Sequence, residues 1–348
     1  MRLAIILGNR PQFIKFAPLC QQLQQDNVEF CTIHTLQHHN YELNQAIFHD
    51  LQLPNPDYEM PFPIPSGNAF IDKATRFIGQ CLKKEKPSHV IVFGDTNTTF
   101  AGALAASKEH IPLVHIEAGL RSNNYAMPEE FNRSMTDYLS DWLFAPTQKA
   151  FDNLREERVS GKACISGDIM LDAFLLYKDK AKPPQVQLPP TFCLATLHRN
   201  FNTDDTDRLS TLVEQLNAIH DKCCPVVLPA HPRLSKALKK VPALKNDIIR
   251  LAPVSYLKML WLLQHCQFVI TDSGGLQKEA FFAGKPSLLP RAETEWTELL
   301  DIGSSRLVRA EQLYEASLMV RNATPPPFSK VFGDGRASRL IVDKLKEV

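Results

Sequence analysis

Residues 111–133 read IPLVHIEAGLRSNNYAMPEEFNR, an apolar run that changes abruptly into a segment rich in charged side chains. Ile111–Val114 are apolar, and Glu117 follows where such a run would end. A short apolar segment that ends in a carboxylate is typical of a buried strand that delivers the acid to its carboxyl end. In open α/β sheets, ligands bind at that end of the strands. The segment therefore predicts an α/β fold with a functional site beside Glu117.

The second half of this segment predicts a sharp turn followed by a helix. Gly119 allows the turn because glycine lacks a Cβ atom. Pro128 is favoured in the first turn of a helix, where Glu129 and Glu130 would interact well with the helix dipole. A strand, a loop and a helix cap would account for any single acid here, and we interpret Glu130 in that way. The concentration of charges around one strand end favours a functional site for the group.

Apolar strands followed by polar loops recur along the chain, and two more of them lead to charged residues. His89–Phe93 precedes Asp95, so a second carboxylate reaches the same predicted sheet edge. Leu3–Leu7 precedes a glycine turn and a predicted helix that carries Arg10 and Lys15. The amides of a helix N-terminus favour anions, and these two cations favour a phosphate over a hydride cofactor. The turn has one glycine and lacks the G-x-G-x-x-G pattern of dinucleotide binding.

The strand–loop–helix pattern restarts after residues 178–190, KDKAKPPQVQLPP, a polar and proline-rich segment that we interpret as a linker. In the second half, the motif TDSGGLQKEA places Ser273, Gly274 and Gly275 just before a predicted helix. Paired glycines and first-turn amides can hold a phosphate, and Glu279 on the same helix could reach ribose hydroxyls. Strands that alternate with helices in both halves predict doubly wound parallel sheets.

Composition narrows the class of protein. A chain of 348 residues predicts two domains, and 39 basic against 38 acidic residues argue against a nucleic-acid surface. The first apolar run has five residues, too few for a signal peptide or a membrane span. The eight cysteines form no C-x-x-C pair, so we expect free thiols, a cytoplasmic location and no zinc site. His34, His38 and His39 lack acids at metal-ligand spacing, which favours a polar loop with one substrate contact.

Taken in order, these segments closely resemble the non-hydrolysing UDP-N-acetylglucosamine 2-epimerase family across essentially the whole chain. The motifs that carry the resemblance are GNRPQFIK, TLQH, FGDTNTTFAGALAA, HIEAGLR with PEEFNR, FAPT, TLHR, HPR, TDSGGLQKEA and RAETEW. The resemblance implies the GT-B type of fold, with two Rossmann-like domains facing a cleft and the C-terminal helix crossing back to the N-terminal domain. We place these domains at residues 1–177 with 331–348 and at residues 191–330. The resemblance further implies a homodimer that acts on a UDP-sugar without NAD or metal.

The family's chemistry is implied for this chain by the same motifs. UDP leaves C1 as the C2 proton is removed, and the resulting 2-acetamidoglucal takes UDP back with protonation on the opposite face. Acids and bases are therefore needed on both faces of the sugar. By match, the catalytic candidates are Asp95, Glu117, Glu129 and His198, with His198 at the diphosphate. By match, the substrate-binding candidates are Arg10, Lys15, Gln37, His38, Arg133, Arg199, Ser273, Gly274, Gly275 and Glu279. We also expect Arg121 and Arg133 to orient the acids or to contact phosphate.

Three positions depart from the family's pattern. Gln12 replaces the acid of R-P-E, and Phe201 replaces the acid of H-R-x-E-N. Trp296 replaces the UDP-binding arginine of T-E-R-P-E, and Arg291 is a candidate substitute. The R-P-Q and T-E-W combination is more similar to the branch that acts on UDP-2,3-diacetamido-2,3-dideoxyglucuronic acid, an O-antigen precursor. UDP-N-acetylglucosamine is our first prediction for the substrate and this uronic acid the second, with a GT-B glycosyltransferase as a more distant alternative.

Overall fold

A computed structural model describes residues 1–37, 47–323 and 329–347. The chain divides into two compact units, Met1–Leu176 with Lys330–Val348 (unit 1) and Tyr177–Ser329 (unit 2). Each unit contains one parallel sheet whose strands alternate with helices along the chain. The predicted α/β class is therefore confirmed. Within the described residues, no helix has both the length and the apolar composition of a membrane span.

Unit 1 is built on a seven-stranded parallel sheet of buried, apolar strands. The strands are β1 (Arg2–Leu7), β2 (Glu29–His34), β3 (Tyr58–Glu59), β4 (His89–Phe93), β5 (Leu113–Ile116), β6 (Trp142–Ala145) and β7 (Lys162–Ile165). Their order is β3-β2-β1-β4-β5-β6-β7, so the direction of winding reverses between β1 and β4. Ligands of doubly wound sheets bind beside the carboxyl ends of the strands at such a reversal. The loops after β1, β4 and β5 are thus the natural place for a site.

The helices of unit 1 alternate with its strands, and α1, α3 and α4 follow these three loops. They are α1 (Arg10–Gln25), α2 (Gly67–Glu85), α3 (Asn97–Lys108), α4 (Pro128–Leu139), α5 (Gln148–Glu156) and α6 (Ile169–Tyr177). Asn9 begins α1 by accepting a hydrogen bond from the Gln12 amide. Thr96 and Thr99 form a reciprocal capping box at the start of α3. Because each of these caps lies within a few residues of a strand end, the loops after β1 and β4 are short.

Unit 2 repeats this arrangement with a six-stranded parallel sheet. Its strands are β8 (Cys193–Thr196), β9 (Val226–Pro229), β10 (Ile249–Leu251), β11 (Val269–Thr271), β12 (Ser287–Leu289) and β13 (Ser305–Leu307). Its helices are α7 (Asn200–Thr203), α8 (Thr206–Lys222), α9 (Pro232–Ala237), α10 (Tyr256–His265), α11 (Gly274–Phe282), α12 (Thr297–Asp301) and α13 (Leu313–Arg321). The strand order β10-β9-β8-β11-β12-β13 reverses between β8 and β11. The loops after these two strands carry the LHR and TDSGG motifs.

The elements agree with sequence-based expectation over Asp204–His220, where α8 begins because Asp205 accepts from the Asp207 and Arg208 amides. They differ in two places. The short helix α7 (Asn200–Thr203) lies just before this range and was not predicted. Residues 54–66 are predicted to be irregular, yet Tyr58–Glu59 pair with β2 as an edge strand.

The last helix, α14 (Ala337–Lys346), belongs to unit 1, in agreement with the fold that the family resemblance implies. Asp172 of α6 holds its first turn by accepting from the Ala337 amide at 3.1 Å, the Ser338 amide at 2.8 Å and the Ser338 hydroxyl at 2.7 Å. Burial raises the pKa of Asp172, and these donors act in the opposite direction. At the other end of α14, Lys346 pairs with Asp26 at 2.8 Å.

Replacement of Asp172 by alanine is expected to lower the free energy of unfolding by about 1–3 kcal/mol, because three donors at a buried helix start lose their acceptor. The midpoint and slope of urea denaturation measure this loss. Asp179→Ala is the matched control, since that carboxylate is exposed, and it is expected to change stability by less than about 0.5 kcal/mol. Equal effects of the two substitutions would contradict the role of Asp172 in holding the first turn of α14.

Candidate functional site

In unit 1, the carboxyl ends of β1, β4 and β5 bring Lys15 and Glu117 together. Lys15 of α1 forms an ion pair with Glu117 in which the two side chains are 11% and 8% exposed. Gly94 lies against this pair, because a Cβ atom there would be 3.1 Å from Glu117 Oε2 and 3.2 Å from Lys15 Nζ. Burying a lone carboxylate is costly, and Lys15 supplies the counter-charge that makes the position of Glu117 possible.

The backbone at Glu117 is in a conformation that non-glycine residues seldom adopt. Its φ angle is +73°, in the left-handed region. The amides of Glu117 and Ala118 both donate to the Phe144 carbonyl at 3.1 Å, which holds this conformation from the neighbouring strand β6. Strained backbone of this kind is concentrated at functional sites, where surrounding contacts impose it. The direction of the Glu117 side chain is therefore set by the sheet.

Asp95, the second predicted acid, is held by helix α4. Arg133 pairs with the Asp95 carboxylate and also donates to Glu130 Oε2 at 3.1 Å. Asn132 donates to the Asp95 carbonyl at 3.1 Å and to Asn97 Oδ1 at 3.0 Å. The Asp95 side chain is 29% exposed, whereas that of Arg133 is 5% exposed. The structure thus places Arg133 where it can orient an acid, and that acid is Asp95.

The two adjacent acids at the start of α4 differ in environment. Glu130 is buried and accepts from the Ser122 amide at 2.9 Å, the Ser122 hydroxyl at 2.8 Å and the Asn123 amide at 3.1 Å. It lies in the first turn of α4, as predicted for a charge at the helix start, and it also fixes the preceding loop. Glu129 is half-buried in the first turn of α4, four residues before Arg133.

A buried histidine–aspartate pair lies behind these loops. His115 Nδ1 is 2.7 Å from Asp137 Oδ1, and both side chains are fully buried. Arg121 donates to Asp137 Oδ2 at 2.8 Å and forms two hydrogen bonds with Glu157, at 2.7 and 2.6 Å. Arg121 was predicted to orient the catalytic acids or bind phosphate, and the structure instead pairs it with Asp137 and Glu157.

The remaining predicted contacts of unit 1 lie on neighbouring elements. Gln37 accepts from the Thr98 amide at 3.0 Å and from its hydroxyl at 2.7 Å, which ties the loop after β2 to α3. Arg10 is half-buried in the first turn of α1. His38 lies outside the described residues.

In unit 2, His198 is held by a fully buried carboxylate, Asp272. His198 Nδ1 lies 3.0 Å from Asp272 Oδ1, and the His198 side chain is 37% exposed. The amides of His198 and Arg199 and the Asn202 side chain also donate to Asp272, each at 3.0 Å. Burial alone would raise the pKa of Asp272, but the contacts with His198 and the donors from Asn202 and Arg199 hold it below its usual value. The pair has the arrangement in which a carboxylate orients a histidine for acid–base work.

The second anion loop lies at the N-terminus of α11. Ser273 caps this helix by accepting from the Leu276 amide at 3.3 Å. A Cβ atom at Gly274 would overlap the Glu295 side chain, whereas one at Gly275 would meet nothing within 4 Å. Packing within the protein therefore accounts for Gly274, and open space remains beside Gly275. Glu279 is buried farther along the same helix.

Trp296, which departs from the family pattern, has a buried cation as its neighbour. Lys278 Nζ lies 3.7 Å from the centroid of the Trp296 ring, and the two residues are 1% and 3% exposed. This is a desolvated cation–π contact. Arg291, the candidate substitute for the missing arginine, is buried and donates to Glu295 Oε2 at 3.0 Å.

Sequence reasoning did not single out His115, Asp137 or Asp272. One signal was available for Asp137: Glu130, Arg133 and Asp137 share one face of α4 at helical spacing, a polar stripe on the buried side. No comparable signal exists for a metal, since no group of three or more potential ligands lies together in the part of the chain that the structure describes.

This architecture and its sequence are similar to those of known proteins. The family model described as UDP-N-acetylglucosamine 2-epimerase matches residues 21–346. The UDP-2,3-diacetamido-2,3-dideoxy-D-glucuronate 2-epimerase of Pseudomonas aeruginosa is 42% identical over 355 aligned residues, which cover 100% of both chains. A crystal structure of the Methanocaldococcus jannaschii UDP-GlcNAc 2-epimerase in complex with UDP-GlcNAc and UDP matches with a TM-score of 0.92 and 36% identity, covering 100% of both chains. The Neisseria meningitidis UDP-GlcNAc 2-epimerase bound to UDP-GlcNAc matches with a TM-score of 0.91 and 28% identity, again over 100% of both chains.

The relatives match over the whole chain and include both sheets, and the family model matches all but the first 20 and last two residues. The protein is an isomerase of the epimerase class. It belongs to the UDP-N-acetylglucosamine 2-epimerase family.

Replacement of Asp272 by asparagine is expected to lower the free energy of unfolding at pH 7 by about 1–3 kcal/mol, because buried donors lose a charged acceptor. The pKa of Asp272 is lowered in the folded protein, so its carboxylate stabilises the fold above its ordinary pKa of 3.8. That contribution is lost as the pH falls through the lowered pKa. The difference between the two proteins in urea denaturation should therefore shrink below pH 3.8.

Asp247→Asn is the matched control in the same unit. Asp247 pairs with His220 at 3.2 Å, but its side chain is 70% exposed. Loss of this surface pair is expected to change stability by less than about 1 kcal/mol. A difference for Asp272→Asn that stays constant from pH 7 to pH 3 would refute the role of the charge.

Proposed function

We propose that this protein is a non-hydrolysing 2-epimerase that interconverts UDP-N-acetylglucosamine and UDP-N-acetylmannosamine by elimination and re-addition of UDP. The observation that carries the proposal is the buried Lys15–Glu117 pair at the carboxyl ends of the unit 1 strands. A second carboxylate, Asp95, is held at the same edge by Arg133. The relatives crystallised with UDP-GlcNAc support a UDP-sugar as the substrate.

The reaction breaks and re-forms two bonds of the sugar. One carboxylate takes the C2 proton while the C1–O bond to UDP breaks. This leaves a C1=C2 double bond in the sugar and UDP bound in the site. UDP then adds back at C1, and another acid protonates C2 from the opposite face. Asp95, Glu117 and Glu129 are the proposed proton carriers, because the C2–H bond is cleaved only by a positioned base. His198, oriented by Asp272, is proposed to assist the departure of the diphosphate.

A second candidate substrate is UDP-2,3-diacetamido-2,3-dideoxyglucuronic acid. The relative at 42% identity over the full length of both chains is named for it. Gln12 belongs to the R-P-Q pattern that is more similar to this branch, and its amide donates to the Phe93 carbonyl at 3.1 Å and to the Thr99 hydroxyl at 3.1 Å. A glutamate at this position could not donate to a carbonyl, so the start of α1 is built around glutamine in this chain.

Incubation with UDP-GlcNAc in deuterated water is expected to place deuterium at C2 and to form the 2-epimer without accumulation of free UDP. The same assay with the diacetamido uronic acid derivative identifies the preferred substrate as the one with the higher kcat/KM. Glu117→Gln should lower turnover by about 10²-fold or more, the usual contribution of a general acid or base. UDP affinity, measured by calorimetry, should be retained.

Glu109→Gln is the control, because Glu109 pairs with Lys83 beyond the end of α3 and lies outside the site. No deuterium at C2 with either sugar would refute the proposal. Transfer to an added acceptor without C2 exchange would indicate a glycosyltransferase, and release of UDP with N-acetylmannosamine would indicate a hydrolysing epimerase. UDP binding without turnover in the wild type would indicate a nucleotide-sugar-binding protein.

We also propose a cytoplasmic homodimer. The free state of all eight cysteines supports a reducing location. Phe131 and Tyr138, on one side of α4, are 54% and 50% exposed. Phe131 extends the patch to α3 through a ring contact with Phe100 at 5.5 Å. Exposed aromatic patches of this kind mark protein interfaces, and a second copy of the chain is the partner that we propose.

Light scattering after size exclusion should give twice the mass of one chain for the wild type. Phe131→Asp is expected to shift the protein to a monomer, because it places a charge in the centre of the apolar contact. Phe62→Asp is the control, since Phe62 is 62% exposed but outside α3 and α4. A monomeric wild type, or a dimer unaffected by Phe131→Asp, would contradict the interface.

A further inference from the structure

We propose that His115 and Asp137 are positioning residues that fix the two loops carrying Asp95 and Glu117. The inference rests on the proposed function of that site. Both side chains are fully buried, and together they connect the loop after β4 with the loop after β5. They act through hydrogen bonds to backbone groups and not through contact with the sugar.

The ring of His115 has an acceptor at each nitrogen. Nε2 is 2.7 Å from the Gly94 carbonyl, which can only accept, so Nε2 donates. Nδ1 is 2.7 Å from the Asp137 carboxylate, which already accepts from Arg121 and from the Gly119 amide. Both ring nitrogens are therefore held by hydrogen bonds. Its orientation is fixed twice, once by each loop.

The bond to Gly94 controls the backbone that leads to Asp95. The Gly94 carbonyl belongs to the Gly94–Asp95 peptide, so its direction sets the plane from which Asp95 departs. The Gly94 amide donates to the Ile116 carbonyl at 3.0 Å, and the φ angle of Gly94 is +65°. With both polar groups of Gly94 held, the peptide cannot rotate without breaking a buried hydrogen bond.

Asp137 performs the equivalent task after β5. Its Oδ2 atom accepts from the Gly119 amide at 3.1 Å and from Arg121 at 2.8 Å. The Gly119 amide follows Glu117 by two residues, and the Phe144 carbonyl accepts from the amides of Glu117 and Ala118. The left-handed conformation of Glu117 is therefore fixed on both sides.

The location of the pair argues against a purely structural role. A buried polar network gives no general gain in stability over apolar packing, so its placement is informative. His115 lies at the strand end that carries the acids, next to Gly94, which itself contacts the Lys15–Glu117 pair. His89, the other buried histidine on an adjacent strand, lies at the amino end of β4 with Ser88 as its neighbour.

The test compares four variants in the C2-exchange and epimerisation assays. His115→Ala and Asp137→Asn are expected to lower kcat by about 10–100-fold, because a small misplacement of catalytic groups can cost 10²-fold. KM and the Kd for UDP should stay within about twofold of the wild-type values. His115→Gln can still donate to the Gly94 carbonyl and should recover much of the loss. His89→Gln, the matched control, should leave kcat unchanged.

Rates are expressed per folded protein, with the folded fraction measured by circular dichroism and the UDP-binding fraction by titration. Wild-type kcat in His115→Ala and Asp137→Asn, or an equal loss in His89→Gln, would overturn the inference. A rise in KM with kcat unchanged would also overturn it, because positioning of proton carriers predicts the reverse. If the wild type itself shows no C2 exchange, the proposed function fails and this inference fails with it. If the wild type is active and the variants keep its kcat, this inference alone is refuted.

Discussion

The ion pair between Lys15 and Glu117 joins the first helix of unit 1 to the loop after β5. Because the pair is buried, it restricts the positions of the groups around it. A carboxylate that is 8% exposed needs a counter-charge within contact distance, so α1 must approach the sheet edge at this point. The approach leaves little room for a side chain at position 94, where a Cβ atom would lie 3.1 Å from Glu117 Oε2 and 3.2 Å from Lys15 Nζ. The carboxylate also requires a left-handed backbone at Glu117, which in turn depends on the Phe144 carbonyl. One buried charge pair thus constrains a helix, a glycine and two strand ends.

Helix α4 supplies most of the other partners. Asn132 and Arg133 hold the Asp95 loop, and Asp137, one turn later, holds His115 and the Gly119 amide. Residues on one rigid helix move together, so the relative positions of the acids depend on α4 as a body more than on the flexibility of the loops. A site built on a helix and on strand ends is held more accurately than one built on loops alone. This arrangement suits a reaction in which one group removes a proton from one face of a carbon atom and another delivers a proton to the opposite face.

The sequence was sufficient for most of the elements but not for their partners. Buried parallel strands and capped helices are local patterns, and the carboxylates after β4 and β5 could be placed from them. Lys15 and Glu117 are 102 positions apart in the chain, and Arg133 and Asp95 are 38 apart, so their pairing depends on strand order, which periodicity does not encode. The edge strand Tyr58–Glu59 has two residues and cannot show a period. The family resemblance directed attention to Arg121 as an orienting residue, and only the structure reveals that Asp137 and Glu157 bind it.

Two histidines are paired with fully buried aspartates, and the exposure of the histidine ring separates their tasks. His115 is fully buried and bonded at both ring nitrogens to acceptors, so it can hold groups in place but has no free ring atom for a substrate. His198 is bonded to Asp272 through Nδ1, yet 37% of its side chain is exposed. A ring fixed at one nitrogen and open to solvent can donate or accept a proton in a directed way. In the roles that we propose, the same residue pair positions the loops of unit 1 and supplies an accessible acid–base group in unit 2, and the difference lies in the exposure of the histidine ring.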